Sequence, residues 1–437
     1  MTTRREFLSQ SSKTIALTTA ASTLGAVHTA AAVPDEPINI AIIGCGGIMG
    51  HHVNGLVDRK ENVNFNWLCD VDPRQMVAKA NKIADVQSAK PKQTAEYEDI
   101  ANDKNVDAAI IATPHHWHAP IALTLMEAGK DVYVEKPISH VYNEGPLMIA
   151  AAKKYGRIVQ QGSQMRNSPV TDEAARILAS GMIGDIKIAK AWTAEMRHVV
   201  KPVPDGQPPT GVDYDRWLGP APQRPFNKYR FHGTWRMFRD YANGEIGDDG
   251  IHDIDMACWG LDPKGLPKQI TARGGRMMLH GHASEYPDNM NVTFEYPDGR
   301  LLVYENYPFT GYGLHGFDNG NVFYGTKGYM IFSRRGAFSV FLGNKNKPGP
   351  TESKKIRGER GYAEHMREFL NAVRTRKATK ANPTAAHYSC ALVHLGEVAY
   401  RNGGQLNFDP ANEVVFDNDK ANAMLKKDYR SPYGLPT

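Results

Sequence analysis

One lysine and one histidine stand out as residues that could move a proton or stabilise the charge left behind. Lys136 follows a short apolar run at residues 131–134, and His252 lies four residues after Asp248. Residues four apart share a face of a helix, and a histidine beside a carboxylate can act as a general base near neutral pH. The glycines around them favour a helix that begins at about Gly250. A structural interpretation stays open, in which an aspartate caps the helix and His252 packs in an interface.

A glycine-rich turn after the first β-branched run, residues 38–43, is the second candidate site. The run predicts a buried strand, and a helical pattern follows at 51–60. Glycines let the backbone approach a pyrophosphate, whose charge is attracted by a helix N-terminus. The G-x-G-x-x-G fingerprint is imperfect, because a methionine replaces its third glycine. The turn residues that could contact a dinucleotide are Gly44, Gly46, Gly47, Ile48 and Met49.

An acidic residue after the next predicted strand, residues 63–69, supports a dinucleotide site. The carboxylate of Asp70 can accept hydrogen bonds from both ribose hydroxyls of adenosine and would repel a 2′-phosphate. NAD is therefore the expected cofactor and NADP the less favoured one, with Arg74 as a nearby residue that could still attract a phosphate. The alternative is that Asp70 is a turn residue at a strand end.

Two more apolar runs, at 106–113 and 131–134, predict further strands with a helix between them at 119–129. Alternating strands and helices indicate a doubly wound parallel sheet, in which ligands bind beyond the carboxyl ends of the strands. The side chains at those ends are the site candidates Thr113, His115, Trp117, His118, Glu135 and Lys136.

The histidine-rich segment at residues 115–118 allows three interpretations. Imidazoles bind transition metals, but no matching carboxylate or thiolate pattern accompanies them, so we expect no metal. Packing of Trp117 and His118 against nicotinamide and ribose is the favoured interpretation. Helix capping and packing is the third.

Composition indicates a globular protein. The chain has 437 residues, of which 41% are hydrophobic and 23% charged, with a formal net charge of +5. These values exclude a disordered chain, a collagen and a coiled coil. No apolar run is long enough for a membrane span, and the interspersed charges do not predict nucleic-acid binding. The four separated cysteines form no CxxC pair, so neither a zinc site nor a disulfide framework is expected.

The first 32 residues are typical of an export signal. Arg4 and Arg5 form a twin-arginine motif, a moderately apolar stretch follows at 14–27, and small residues at 30–32 suit a signal peptidase. An amphipathic first helix or a tail is the alternative. We expect the protein to be exported in folded form, to the periplasm or beyond.

Four segments together resemble the Gfo/Idh/MocA family, named for glucose–fructose oxidoreductase and inositol dehydrogenase. They are IAIIGCGGIMGHH at 40–52, CDVDP at 69–73, ATPHHWHAPIALTLMEAGKDVYVEKP at 112–137 and GDDGIHDID at 247–255. The resemblance implies an α/β fold, with an N-terminal Rossmann domain that has a doubly wound parallel sheet. It also implies an α+β C-terminal domain with a large, mostly antiparallel sheet open on one face.

The resemblance and a change of pattern near residue 161 suggest four parts. These are the signal at 1–32, a Rossmann domain at 38–160, a substrate and oligomerisation domain at 161–395, and a C-terminal extension at 396–437.

Further site residues are expected in the second half. Gln164 and Arg166 lie in a segment that resembles the family's crossover between domains, which implies contact with the nicotinamide end and with substrate. Trp235 and Tyr241 lie in a stretch of aromatics and arginines that suits a sugar. Structural bonding between domains and surface or dimer contacts are the alternatives.

The favoured function is NAD-dependent oxidation of a sugar, polyol or sugar derivative. His252 would take the hydroxyl proton, Lys136 would stabilise the oxygen, and Asp248 would orient substrate or His252. A retained cofactor and a redox-neutral cycle are expected, because an exported protein meets almost no free NAD. An NAD-dependent glycoside hydrolase and a non-catalytic sugar-binding protein are the alternatives.

A homodimer or homotetramer is expected, because a sheet with one uncovered face leaves an apolar patch. The aromatic residues proposed for that patch are Phe309, Phe323, Tyr324, Tyr329 and Phe332.

Overall fold

The computed structural model describes residues 36–195, 199, 201–277, 280–307 and 313–436. The predicted export signal at 1–32 lies outside the described residues. The elements of the first half are β1 (Ile38–Ile43), α1 (Gly47–Asp58), β2 (Val63–Cys69), α2 (Pro73–Ile83), β3 (Lys92–Thr94), α3 (Tyr97–Asn102), β4 (Ala108–Ile111), α4 (His115–Glu127), β5 (Asp131–Val134), α5 (Glu144–Tyr155) and β6 (Val159–Gln161).

These strands form one parallel sheet in the order β3-β2-β1-β4-β5-β6. The predicted doubly wound fold is confirmed. The strands β1, β2 and β5 have the predicted bounds. The three-residue strands β3 and β6 were not predicted, since so short a segment has no readable period. The chain order reverses between β1 and β4, which places the turns after these two strands side by side.

The second half contains α6 (Pro169–Ala179), β7 (Ile186–Thr193), α7 (Tyr214–Leu218), α8 (Gly244–Asp248), α9 (Gly250–Leu261), β8 (Gln269–Gly275), β9 (Asn289–Glu295), β10 (Leu301–Asn306), β11 (Asn319–Gly325), β12 (Gly328–Ser333), β13 (Ala337–Leu342), β14 (Lys347–Thr351), α10 (Tyr362–Thr375), α11 (Pro383–Arg401), β15 (Gln405–Asp409), β16 (Val414–Val415) and α12 (Asp419–Met424). Short 3₁₀ turns cover Gln164–Asn167 and Thr234–Met237.

Ten strands of this half form a sheet in the order β14-β13-β12-β11-β7-β10-β9-β8-β15-β16. Among the described strands of this sheet only β7 and β10 pair in parallel, so the predicted mostly antiparallel sheet is confirmed. The helix α11 runs through residue 396, where the sequence predicts the start of a C-terminal extension.

One face of the large sheet packs against helices, and this explains an error in the predicted oligomer patch. The helix α9 packs on β7 and β11, and α11 packs on β8. Phe323 and Phe332 are fully buried on this inner face and cannot contribute to an outer patch, so that prediction was wrong for both. Tyr324, on the opposite face, is 39% exposed. Phe309 lies outside the described residues.

The 201–243 segment connects β7 to α8 and packs as an aromatic cluster of its own. Its buried members are Trp217, Leu218, Ala221, Phe226, Phe231, Phe238 and Tyr241. Val71, which directly follows Asp70, packs against this cluster. The segment therefore joins the large-sheet half of the chain to the carboxyl edge of the parallel sheet.

All four cysteines are buried free thiols. In the described part of the chain, no helix is both long enough and apolar enough to span a membrane.

Candidate active site

Gly44 lets the turn after β1 pass close to the turn after β4. Its φ is +80°, and a Cβ there would lie 2.8 Å from the backbone of Ala112. A side chain would therefore be strained in its backbone and would collide with atoms that cannot move aside.

The first helix presents an uncapped N-terminus at this turn. Gly46 is its N-cap and makes no side-chain cap bond, no acidic residue lies in the first turn, and a Cβ at Gly46 or Gly47 would meet nothing within 4 Å. A helix N-terminus without a side-chain cap and the open space beside it suit a pyrophosphate. Met49, at the third glycine position, is fully buried in the core and does not reach this space.

A cavity of about 320 Å³ opens beside these glycines. Its wall is made by the ends of β1, β2 and β4 and by the 201–243 segment. The predicted residues that line it are Gly44, Gly46, Gly47, Ile48, Asp70, Thr113, Trp117 and Trp235.

The carboxylate of Asp70 is fixed on the cavity wall by two backbone amides. The Cys45 amide donates to its Oδ2 at 2.7 Å, and the Asp72 amide donates to its Oδ1 at 2.9 Å. Burial raises the pKa of Asp70, and these two bonds oppose the rise. Each oxygen keeps a free lone pair, so the group can still accept from ribose hydroxyls.

Arg74, the residue that could attract a 2′-phosphate, is bound elsewhere. Its Nε and Nη2 donate to the two carboxylate oxygens of Asp72, both at 2.7 Å. A bidentate pair of this kind uses the N–H groups along one edge of the guanidinium. The arrangement supports NAD more than NADP.

The predicted site residues in the turn after β4 have three different surroundings. Thr113 has a buried hydroxyl that bonds to no described residue and lies on the cavity wall. His115 lies 3.2 Å from the amide oxygen of Asn243. The ring nitrogens of His118 lie 2.7 and 2.8 Å from the carbonyls of Pro137 and Thr113. His118 therefore holds two loops together and does not line the cavity, and its partners also exclude it as a metal ligand.

Lys136 is held by Asp248 and not by His252. Its Nζ donates to the Asp248 carboxylate at 3.0 Å and also to the Asp248 carbonyl. Arg236 donates its Nε to the same carboxylate oxygen at 2.9 Å. The site thus contains two cations on one anion. Burial raises the pKa of Asp248. The charges of Lys136 and Arg236 outweigh burial and hold this pKa well below its usual range.

His252 lies in the first turn of α9, whereas Asp248 ends α8. The predicted helix start at about Gly250 is confirmed. Asp248 lies before that start, so the i, i+4 spacing within one helix does not bring the side chains of Asp248 and His252 together. Burial, and then the charges of Lys136 and Arg334, lower the pKa of His252 to about 3. The imidazole is neutral near neutral pH and can accept a proton.

Glu135 and Gln164 belong to a buried network beneath the glycine turn. Glu135 Oε1 lies 2.8 Å from His52 Nε2 and accepts from Gln164 Nε2 at 3.3 Å. Burial raises the pKa of Glu135, but the hydrogen bond from His52 and the nearby cations outweigh burial and lower this pKa to about 2. Both residues thus have protein partners already.

Of the five residues predicted for substrate, four do not line the cavity, namely Arg166, Tyr241, Asp248 and His252. Arg166 forms a bidentate pair with Asp255, with N–O distances of 2.7 and 2.9 Å. Tyr241 is fully buried in the aromatic cluster of the 201–243 segment. Trp235 does line the cavity and carries the Arg236 guanidinium 4.3 Å from its ring centroid.

Sequence reasoning missed three partners of the site. Arg236 bonds to Asp248, Arg334 bonds to Asp249 at 3.0 Å, and His232 bonds to Asp72 at 2.7 Å. Each comes from an irregular segment or a strand end, and no spacing rule connects it to its acidic partner.

The residues present fit an NAD molecule. Uncapped helix amides suit its pyrophosphate, Asp70 suits its adenosine ribose, and the buried Thr113 hydroxyl lacks a described partner on the same wall.

Comparison with protein families agrees with this geometry. Residues 38–163 match the model of the oxidoreductase family GFO_IDH_MocA, NAD-binding Rossmann fold, and residues 173–309 and 340–435 match its C-terminal alpha/beta domain. The chain belongs to the Gfo/Idh/MocA family of oxidoreductases. It therefore has an NAD-binding Rossmann domain.

Two similar proteins are named as dehydrogenases. Trans-1,2-dihydrobenzene-1,2-diol dehydrogenase of Mus musculus is 26% identical over 307 residues, which cover 67% of this chain and 76% of that protein. Levoglucosan dehydrogenase of Pseudarthrobacter phenanthrenivorans is 27% identical over 228 residues, 51% of this chain and 50% of that protein.

A solved Gfo/Idh/MocA-like fold covers almost the same length. The aldose–aldose oxidoreductase from Caulobacter crescentus, in complex with glycerol, has a TM-score of 0.66 and 18% identity, and covers 85% of this chain and 100% of that chain. At this identity the likeness shows the fold alone.

Proposed function

We propose that this protein oxidises a CH–OH group of a sugar, polyol or sugar derivative at the end of the NAD cavity. The observation that carries the proposal is the Lys136–Asp248–Arg236 cluster. Arg236 lines the cavity and bonds to the same Asp248 oxygen as Lys136. Bound NAD supplies the hydride acceptor for the carbinol carbon.

Lys136 is suited to bind the reacting oxygen. Its ammonium has three protons, and Asp248 accepts two of them through its carboxylate and carbonyl. The third proton can be donated to a substrate hydroxyl oxygen. As that oxygen loses its own proton, a fixed ammonium stabilises the negative charge that develops.

His252 is suited to accept the hydroxyl proton because it is neutral near neutral pH. The cations that lower its pKa also weaken it as a base. Negative charge on the substrate oxygen would oppose those cations, so proton acceptance would become more favourable as the reaction proceeds.

The substrate class is supported by the names of the relatives. They identify a diol, levoglucosan and aldoses as what those proteins act on. The cavity wall of this chain offers Trp235 and Arg236 at its end next to Asp248. An aromatic face suits C–H groups, and a guanidinium suits hydroxyl or carboxylate oxygens.

Export in folded form and retention of NAD belong to the same proposal. Arg4 and Arg5 support a twin-arginine signal, which directs proteins out of the cytoplasm after folding. A dehydrogenase that released NAD there would stop after one turnover. The cycle is then redox-neutral, because a second carbonyl or the oxidised substrate itself is reduced before the next turnover.

The decisive experiment uses protein purified from the exported fraction and dialysed extensively. Nucleotide occupancy is measured after denaturation, and a panel of sugars and polyols is added without free NAD. A burst of about one reduced nicotinamide per site, reversed by a second sugar carbonyl, supports the proposal. Hydrolysis of aryl glycosides without added NAD would instead indicate the glycosidase. Sugar binding with no absorbance change of nicotinamide would indicate a binding protein.

We also propose that the outer face of the large sheet forms a homodimer or homotetramer contact. Tyr324, Tyr329 and Phe341 group on that face, with ring centroids 5.8 and 5.0 Å apart along the group. Their partial exposure supports an interface.

A further inference from the structure

The 201–243 segment supplies part of the wall of the NAD cavity. The six of its residues that line the cavity are Arg216, Trp217, His232, Gly233, Trp235 and Arg236. The remaining lining residues all come from the Rossmann half of the chain. Because the two walls belong to different parts of the chain, a bound nucleotide would be enclosed between them.

One ion pair and one histidine–carboxylate hydrogen bond fasten the segment to the rim of the parallel sheet. Arg216 Nη1 lies 2.9 Å from Glu98 Oε2, and His232 Nε2 lies 2.7 Å from Asp72 Oδ2. Asp72 is fully buried and follows β2, whereas Glu98 lies in α3, just after β3. Both acids therefore stand at the strand ends where the adenosine half of NAD would lie.

The backbone of the segment is strained where it places one of these groups. His232 has a φ of +53°, a left-handed conformation that is costly for a residue with a side chain. The next residue, Gly233, has a φ of +141° and lines the cavity. The surrounding contacts thus hold His232 in an unfavourable conformation that directs its ring at Asp72.

The interior of the segment ties it to the histidine-rich turn. The Trp217 carbonyl lies 3.1 Å from His116 Nε2 and accepts from Trp117 Nε1 at 3.2 Å. The Trp217 ring packs on Tyr241 with a centroid distance of 4.8 Å. These contacts make the segment a packed body and not a loose loop.

The end of the chain adds a second layer outside the segment. Arg430 donates to the Gly219 carbonyl at 2.8 Å and pairs with Asp215 at 2.7 Å. Tyr433 packs edge-on against Trp117, with a centroid distance of 5.6 Å. The segment is thus held from the cavity side and from the outer side.

We propose that the 201–243 segment is a clasp over NAD, and that the Arg216–Glu98 and His232–Asp72 contacts set how slowly NAD dissociates. The proposal rests on the proposed function only for the need to retain NAD. These two contacts must break before the outer wall can move away from the nucleotide, so they slow dissociation more than association.

The test measures NADH release from the full-length protein. Trp117, Trp217 and Trp235 line the cavity, so their emission is transferred to bound NADH, and a chase with excess NAD reports dissociation. Arg216→Leu and His232→Ala should each accelerate release about tenfold, and the double variant more than either. Arg216→Lys and His232→Gln keep a donor for the acid and should stay within about threefold of the wild type.

Arg224→Leu is the matched control. Arg224 lies in the same segment and pairs with Asp240 at 2.6 Å and Glu285 at 3.3 Å, away from the cavity. Its release rate should stay at the wild-type value. The single variants are measured first, so the test does not depend on the double variant folding.

Three results would overturn the proposal. They are wild-type release within the mixing time, single variants that release at the wild-type rate, and acceleration by Arg224→Leu equal to that of Arg216→Leu. The measurement needs no sugar, so its failure leaves the dehydrogenase proposal standing. Failure of the sugar panel leaves the release rates interpretable.

Discussion

The ammonium of Lys136 lies 3.0 Å from the carboxylate of Asp248, 112 residues later in the chain. Arg236 bonds to the same oxygen, so two cationic side chains share one carboxylate and the cluster of three has a net positive charge. The side chain of Lys136 is 16% exposed and that of Asp248 is 13% exposed. A partly desolvated site with a surplus positive charge is suited to stabilise an oxygen that is losing its proton.

Lys136→Met should reduce turnover by about a thousandfold, because it removes a charged donor aimed at the reacting oxygen. NADH affinity should change little, since the lysine is not on the cavity wall. Single-turnover absorbance and NADH titration measure the two effects. Lys187→Met, an exposed lysine on β7, is the control. Turnover within about threefold of the wild type would contradict the role of Lys136.

Strand positions were the most predictable part of the fold. Residues 38–43 and 131–134 are mostly apolar and almost entirely buried, with only Asn39 and Asp131 as polar members, so hydrophobicity indicates where these strands lie. The helix α4 begins at His115, four residues earlier than predicted, because Pro114 is its N-cap and the histidines form its first turn. The histidines obscured this start, since the partners of His115 and His116, Asn243 and Trp217, lie far along the chain.

The site was predictable where its residues follow strands. Gly44, Asp70 and Thr113 line the cavity because carboxyl ends of neighbouring strands meet. Partnerships across the chain were not predictable. Arg166 could not be matched with Asp255, nor Arg236 with Asp248, because only tertiary packing brings them together.

Gly44→Ala should destabilise the protein by about 2–4 kcal/mol, because φ is +80° and the new Cβ would meet the Ala112 backbone at 2.8 Å. Gly50→Ala is the control within α1, where a Cβ would meet nothing within 4 Å. It should be neutral or stabilise by about 0.5–1 kcal/mol. Denaturant unfolding compares them, and equal stability of the two variants would argue against the close approach.

Asp70→Asn should weaken NADH binding by about tenfold to a hundredfold, since a charged acceptor for the ribose hydroxyls becomes a neutral one. NADPH binding should improve relative to NADH, because the repulsion of a 2′-phosphate is removed. Fluorescence titration with both nucleotides gives the ratio. Asp85→Asn, at an exposed aspartate, should leave the ratio unchanged. An unchanged ratio in Asp70→Asn would remove Asp70 from cofactor selection.

The wild-type protein should be a dimer or tetramer at micromolar concentration, and Tyr324→Glu should shift it toward the monomer. Tyr324 is 39% exposed on the outer sheet face. The carboxylate that replaces its ring would have to be buried in the interface, which costs free energy of association. Light scattering measures the mass. Tyr362→Glu changes another exposed tyrosine, 49% exposed at the start of α10 and not in the sheet, and should not alter the mass. A monomeric wild type would exclude the interface.

The pKa of His252 gives the sign of a pH effect on stability. Burial and the charges of Lys136 and Arg334 lower it to about 3, while Asp249 and Glu135 oppose the change. In the unfolded chain a histidine titrates near 6.5. Between these two values the unfolded chain holds a proton that the folded chain does not, so stability falls as the pH drops through this window.

His252→Gln should therefore lose less stability on acidification than the wild type. At pH 5 the imidazole costs the folded state about 2 kcal/mol, and at pH 7.5 it costs almost nothing. Denaturant unfolding at both pH values should show a pH dependence smaller by that amount in the variant. His51→Gln, at an exposed histidine on α1, controls for loss of an imidazole. An unchanged pH dependence in His252→Gln would mean that the pKa of His252 is the same in the folded and unfolded chain, so that burial and the two cations do not destabilise its protonated form.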